Sequence, residues 1–212
     1  MPKIIAFLNE KGGTGKSTLC TNFATALLRE DKRVVIVDAD PQGTARDWRA
    51  ASPDGVNLPP VIAIDRPQTF GDSLKSIAAD FVIIDAPAKA AEMSAAIIRF
   101  SHLALLVMQP SGADVWASAA AVKMIQARRD AGGEIDAAFL INRSSSSTKL
   151  TKQIKNGEWN EYQIDQLTAT VGNRVSFANS MTDGLSVFDC DDKAAQAEIE
   201  AVIAELRAAK WL

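Results

Sequence analysis

Residues 4–18 read Ile4-Ile5-Ala6-Phe7-Leu8-Asn9-Glu10-Lys11-Gly12-Gly13-Thr14-Gly15-Lys16-Ser17-Thr18. A short apolar run, a glycine-rich loop and a helix starting near Lys16 follow one another there, and that succession decides the fold. The glycines let the backbone curl so that successive N–H groups face inward, toward phosphate oxygens. The helix N-terminus adds its partial positive charge. In such a loop Lys16 reaches the β- and γ-phosphates of a nucleotide, and the Ser17 hydroxyl ligates Mg2+. The expected nucleotide-binding residues are therefore Gly12, Gly13, Thr14, Gly15, Lys16, Ser17 and Thr18. A glycine-rich turn without ligand is the alternative.

Outward from this loop, apolar runs recur at Ile4–Leu8, Val34–Val37, Val61–Ile64, Phe81–Ile84, Leu103–Val107 and Ala137–Ile141. They alternate with stretches of helical character at Ser17–Arg29, Met93–Phe100 and Trp116–Asp130. Short, unbroken, β-branched runs are strands covered on both faces. The pattern predicts an α/β protein, a three-layer P-loop NTPase fold with a mostly parallel twisted central sheet flanked by helices. Thr44 with Asp47, and Ser111 with Asp114, are candidate helix caps, and Gly132-Gly133 ends the long helix. Ser52–Pro60 and the serine run Ser144–Ser147 read as loops. No repeat or dividing linker interrupts the chain, so a single domain over residues 1–212 is expected. In a parallel sheet ligands bind at the carboxyl ends of strands, which brings Asp38, Asp40 and Asp85 toward the phosphate loop.

Composition narrows the function classes. Lys and Arg number 23 against 26 Asp and Glu, a net charge of −3, which excludes a uniformly basic nucleic-acid coat. A hydrophobic fraction of 47% excludes a disordered chain. Cys20, Cys190 and the lone His102 make neither a disulfide framework nor a zinc site, and two reduced, packed thiols are expected. No signal segment or run of about eighteen apolar residues occurs, so the chain reads as cytoplasmic.

The loop departs from the Gly-x-x-x-x-Gly-Lys-Ser/Thr spacing, because Glu10 stands where the first glycine belongs and Lys11 follows it. At this point the chain resembles the deviant-Walker ATPases of the ParA/MinD family, whose loop reads Lys-Gly-Gly-x-Gly-Lys-Ser/Thr-Ser/Thr. The resemblance implies that Lys11 crosses a face-to-face dimer to the phosphates bound by the other subunit, a cation supplied in trans. It also makes Asp38-Ala39-Asp40-Pro41-Gln42-Gly43 the first switch, with Asp38 orienting the magnesium shell and Asp40 positioning the attacking water. Asp85 becomes the Walker-B aspartate, holding Mg2+ through water. The implied catalytic set is Lys11, Lys16, Asp38 and Asp40, and the implied metal set is Ser17, Asp38 and Asp85. Asp, Pro and Gly are also plain turn residues, which is the alternative for the first switch. The second switch departs from the family pattern, since Pro87 is followed by Ala88 and not by a second proline. No Asn/Thr-Lys-x-Asp guanine signature follows Ala137–Ile141. The implied cofactors are thus ATP/ADP and Mg2+, with Asn142 as the adenine contact.

The phosphate loop begins at residue 10, so the resemblance is to the small ParA proteins of the family, and no N-terminal helix-turn-helix domain is expected. The C-terminal stretch Asp191–Leu212 carries an apolar stripe of Ala195, Ile199, Val202, Leu206 and Ala209 beside an acidic face. Such a helix packs on the core and repels anionic lipid, so no membrane partner is expected. Asp183–Phe188 resembles a Gly-x-Ser-Val-Phe element of small partition ATPases. The resemblance implies an ATP-driven homodimer, non-specific DNA as partner, and a small DNA-binding adaptor, ParB-like or centromere-binding. It places the chain on the nucleoid, segregating plasmid or chromosomal DNA. A ParA-like ATPase that positions a protein cargo on the nucleoid is the second reading, and a metabolic P-loop enzyme, disfavoured by Lys11, a third. Candidate DNA contacts are Arg143, Lys149, Lys152, Lys155 and Arg174, with a solvated basic face as the alternative. The scattered tryptophans Trp48, Trp116, Trp159 and Trp211 read as packing residues, with stacking on bases as the alternative.

Overall fold

A computed structural model describes residues 2–145 and 161–212; Lys149, Lys152, Lys155 and Trp159 lie outside the described residues. Seven strands form one sheet: β1 (Lys3–Leu8), β2 (Val34–Asp38), β3 (Val61–Ala63), β4 (Phe81–Asp85), β5 (Leu103–Met108), β6 (Asp136–Ser144) and β7 (Asp165–Gly172). Their order is β3-β2-β4-β1-β5-β6-β7, and every adjacent pair is parallel. The helices are α1 (Lys16–Leu28), α2 (Thr44–Ala50), α3 (Phe70–Lys75), α4 (Ala91–Phe100), α5 (Gly112–Asp130), α6 (Val175–Thr182) and α7 (Lys193–Ala208).

Successive strand side chains point to opposite faces, and both faces are covered. Ile5 and Phe7 of β1 join Leu19, Phe23, Trp48, Ile199, Val202 and Leu206 on the face of α1, α2 and α7. Ile4, Ala6 and Leu8 join Phe70, Ile97, Val122 and Ile125 on the face of α3, α4 and α5. Burial on both sides is why the strand runs are apolar without alternation. Each such side chain contributes about 1.5–3 kcal/mol, so the central strands are the most heavily stabilised part of the molecule.

β7 is absent from the expected strand set. Its sequence, Asp165-Gln166-Leu167-Thr168-Ala169-Thr170-Val171-Gly172, is largely polar, as an edge strand can be. Pairing is also irregular: β6 advances from Phe139 to Ile141 while β7 advances from Gln166 to Thr170. The backbone N–H groups of Thr168 and Ala169 in this bulge donate to the Glu205 carboxylate at 2.8 and 2.7 Å. Gly172 N donates to Glu198 at 2.9 Å. The acidic face of α7 therefore satisfies an irregular sheet edge, a function more specific than repelling lipid, and it blunts that edge against pairing with other chains. The α7 stripe is also corrected at one position: Ile203 is buried with Ala195, Ile199, Val202 and Leu206, while Ala209 is exposed. Among the described residues, no helix is long and apolar enough to cross a membrane.

Ser111 caps α5 as expected, accepting from Asp114 N at 3.2 Å. Thr44 does not cap α2; that position belongs to Gly43, whose φ of 74° is left-handed, and no side chain caps the helix. Cys20 is buried and Cys190 half-buried, both as free thiols.

The element 183–188 buttresses the phosphate-loop helix from behind. Trp48 Nε1 donates to Leu185 O at 2.7 Å. Val187 N donates to Asn22 Oδ1 at 2.8 Å, and Asn22 Nδ2 donates to Thr18 O at 2.7 Å. Gly184, at φ +63°, lies where a Cβ would overlap the Ala51 carbonyl carbon and the Ser52 amide. Gly184→Ala is therefore expected to destabilise the fold by about 2–4 kcal/mol, through steric overlap with rigid backbone and left-handed strain. A fall of roughly 5–15 °C in the thermal midpoint is the corresponding readout.

Candidate nucleotide site

β1 lies between β4 and β5, the point at which the chain changes its direction of travel across the sheet. A crevice opens at the carboxyl ends of such strands, and the glycine loop fills its floor. Side chains from distant segments hold the loop's carbonyls: Gln109 Nε2 donates to Gly13 O at 2.9 Å and Asn142 Nδ2 to Thr14 O at 2.8 Å. Asn9 anchors the loop's entry, donating to Val107 O at 2.6 Å and accepting from Lys11 N at 2.8 Å. With the carbonyls engaged from outside, the inward N–H groups remain for an anion. Gly15 caps α1 at φ +96°, and a Cβ there would collide with the Asn142 amide. That close approach requires glycine at this position.

Lys16 is only 7% exposed, and among the described residues its ammonium makes one long contact, 3.4 Å to Lys11 O. Burial lowers its pKa, opposed by the negative charges of Asp85 and Asp40. A buried ammonium with so little compensation is poised to accept an anion. Asp85 is its counterpart, since both carboxylate oxygens are buried without a hydrogen bond of good geometry. Burial pushes its carboxyl up to about 7; the Ser17 hydroxyl pulls it down, Asp38 pushes it up and Lys16 pulls it down. These orphaned oxygens beside Ser17 fit a hydrated Mg2+, which binds through one or two carboxylates and keeps several waters.

The segment 38–43 is braced by Arg46, a residue that sequence reasoning missed. Asp38 is fully buried, and its Oδ2 accepts from Arg46 N at 3.0 Å and Arg46 Nε at 3.2 Å. Its Oδ1 accepts from Asp40 N at 3.1 Å. Both Asp38 oxygens are thus engaged by the segment that follows the strand, and the resemblance assigns to this same carboxylate the orienting of the magnesium shell. Arg46 Nη2 also donates to Asp40 O at 3.0 Å, and Asp40 Oδ1 accepts from Gln42 N at 2.9 Å. After Asp85, Ala88-Lys89 turns the chain where the family pattern carries a second proline, with Lys89 at φ 57°.

Asn142, at the end of β6, lies over the phosphate loop and next to a cleft lined by Gly15, Thr18, Arg143, Asn173, Arg174 and Phe177. The two arginines expected to contact DNA are therefore walls of this cleft. Arg174 is moreover ion-paired, at 2.8 Å to Glu198 and 4.0 Å to Asp192, so it is no free cation for a DNA phosphate. Arg143 is exposed, at φ 51°, with its N–H donated to Asn142 Oδ1 at 2.8 Å. Asn173 and Phe177 carried no sequence signal, because both belong to segments that reach the loop only through the packing of β7 and α6.

Lys11 does not hang free at the mouth of the loop. Its Nζ lies 2.6 Å from Asp114 Oδ1, with the Lys11 side chain 43% exposed and that of Asp114 fully buried. Asp114 had been read only as a helix-cap residue; its spacing from Ser111 carries no hint of a cationic partner 103 positions away.

The pattern that describes the CobQ/CobB/MinD/ParA nucleotide-binding domain matches residues 5–187. The chain is 28% identical over 209 residues to the maintenance of carboxysome distribution protein A of Halothiobacillus neapolitanus, covering 95% of both chains. Its fold is similar to that of a Cyanothece protein of the same name in complex with ATP, with a TM-score of 0.77, 18% identity and coverage of 97% and 96%. It is equally similar to a Borrelia burgdorferi protein assigned to plasmid partition and bound to AMPPNP, with a TM-score of 0.76, 15% identity and coverage of 99% and 100%. At such identities the two structures speak for the fold and leave the cargo open. The matched pattern spans the loop, both switches and the buttress behind them, and on that ground the chain belongs to the CobQ/CobB/MinD/ParA nucleotide-binding domain family.

Proposed function

We propose that the chain is a Mg2+-dependent ATPase that positions a protein cargo on the nucleoid. ATP and Mg2+ occupy the loop, with Gly12, Gly13, Thr14, Gly15, Lys16, Ser17 and Thr18 around the phosphates and Asn142 beside the base. Ser17 and Asp85 would hold the metal, and Asp40 would orient the attacking water. The bound metal supplies charge neutralisation at the β- and γ-phosphate oxygens. Lys16 and the loop amides fix the phosphates, and the Asp38–Arg46 pair holds the first switch in register. Two nucleotide-loaded copies close face to face, with Lys11 reaching the phosphates of the other copy. That dimer binds DNA without sequence preference, and an adaptor on the cargo stimulates hydrolysis and release. The observation that carries this reading is the end-to-end similarity to a protein named for carboxysome distribution, together with the second lysine at the loop.

Segregation of plasmid or chromosomal DNA, which the sequence put first, is the second reading, and the similar fold of a partition protein does not decide between the two. The end-to-end sequence relative favours a protein cargo instead. Deleting the gene separates the two: clustered or mispositioned cargo with normal plasmid inheritance supports positioning, and plasmid loss supports partition.

The biochemical core of the proposal is tested by binding to random-sequence duplex DNA. Binding is expected with ATP and Mg2+, to be lost with ADP or without nucleotide, and to weaken about 10- to 100-fold as salt rises from 50 to 200 mM. Binding supported equally by ADP, or insensitive to salt, overturns it.

A further inference from the structure

The contact between Lys11 and Asp114 bears on how that dimer forms, and the inference rests on the dimer reading above. The Asp114 carboxylate is fully buried at the first turn of α5. Its Oδ1 accepts from Lys11 Nζ at 2.6 Å and from Ser111 Oγ at 2.6 Å, and its Oδ2 accepts from Gln109 N at 2.9 Å. Burial raises the carboxyl's pKa, but the bonds from Lys11, Ser111 and Gln109 outweigh it and hold the group below its ordinary value. Lys11 is the charged one of these three donors. Taking it away leaves a buried anion with neutral partners alone, which is costly.

We propose that Asp114 is a positioning residue that holds Lys11 on its own subunit until the nucleotide phosphates of a second copy of the chain displace the carboxylate. The lysine is bound on one side only, because its side chain keeps 43% of its exposure and is open to a competing anion. Phosphate oxygens of a bound triphosphate carry more charge than one carboxylate, and they win the ammonium once two loaded copies meet.

The geometry also links the exchange to nucleotide in the subunit's own loop. Lys16 Nζ lies 3.4 Å from Lys11 O, so a phosphate that draws Lys16 inward releases this carbonyl and loosens the backbone that carries Lys11. Gln109 ties the same carboxylate to the loop, donating its N–H to Asp114 and its amide to Gly13 O. A free chain thus keeps its trans-acting lysine engaged, and a loaded chain gives it up.

Asp114→Asn tests this directly. The variant is isosteric, can still accept from Gln109 N, and can donate to Ser111 Oγ, but presents an N–H in place of the oxygen that holds Lys11. Light scattering during an ATP titration with Mg2+ should show half-maximal dimerisation at about tenfold lower ATP than wild type, the scale of one charge-assisted hydrogen bond. Amine acylation of the nucleotide-free chain, read by mass spectrometry, should rise several-fold at Lys11 and stay constant at Lys89. A merely structural role for Asp114 predicts the opposite, a variant that needs as much ATP or more, and that outcome overturns the proposal. A wild-type chain that stays monomeric with ATP and Mg2+ overturns the dimer reading and this proposal together, so the two failures are distinguishable. Where Asp114→Asn does not fold, wild type decides. Lys11 acylated as fast as the exposed Lys89 refutes the contact, and slower acylation of Lys11, relieved by ATP and Mg2+, sustains it.

Discussion

Lys16→Ala is expected to abolish ATP binding at micromolar nucleotide and, with it, every ATP-dependent property of the chain. Lys16 is the buried cation at the mouth of α1, and among the described residues its ammonium makes one long contact to a carbonyl. Under the proposed function, its remaining bonds go to phosphate. Removing a charge-assisted contact to a polyanion costs roughly 3 kcal/mol or more, about a 100-fold weakening of Kd. The nucleotide-free variant should unfold at the same temperature as wild type or slightly higher, because the substitution removes an ammonium that burial disfavours. Calorimetric titration with ATP, paired with thermal unfolding of the apo chain, separates the two effects. Unchanged affinity overturns the assignment of this loop to phosphate.

Asp85→Asn should make the apo chain more stable at pH 8 while removing the effect of Mg2+ on nucleotide binding. The Asp85 carboxyl titrates near 7 in the fold, against an ordinary value of 3.8, chiefly because it is buried. Between those values the folded chain binds a proton that the unfolded chain has lost. Its contribution to stability is therefore complete below about pH 4 and disappears as pH rises through 7. Asparagine does not titrate, so the variant should gain about 2–4 kcal/mol over wild type at pH 8 and little at pH 4. Urea unfolding at the two pH values in the presence of a chelator reads this difference. In wild type, Mg2+ with nucleotide should restore the stability lost at pH 8, since a cation replaces the proton; in Asp85→Asn it should not. A wild-type apo stability that rises with pH between 5 and 8 overturns the account of Asp85 as an uncompensated buried carboxylate.

These two residues were readable in the sequence because their signals are local. Lys16 follows a glycine loop within a few positions of a strand, and Asp85 ends an apolar run. The first six strands, the two-sided core and the loop itself follow from short-range pattern in the same way, since burial on both faces demands continuous apolar runs. β7 escaped because its pattern is polar and broken. Its irregular amides are satisfied by Glu205 and Glu198 of α7, a solution that appears only when the two elements pack.

The site divides along the same line. The chain's local order determines that a glycine-rich loop joins β1 to α1, which lysine and hydroxyl stand at its end, and that carboxylates gather at the strand ends. Folding in space determined the rest. Arg46 holds Asp38 because α2 turns back over β2; Arg143 and Arg174 line a cleft beside the loop; Asp114 meets Lys11 because β5, which leads into α5, pairs with β1. Each of these pairings joins charges whose attraction or desolvation depends on distance and burial. Those quantities are set by the packing of remote segments, and residue types along the chain do not encode them.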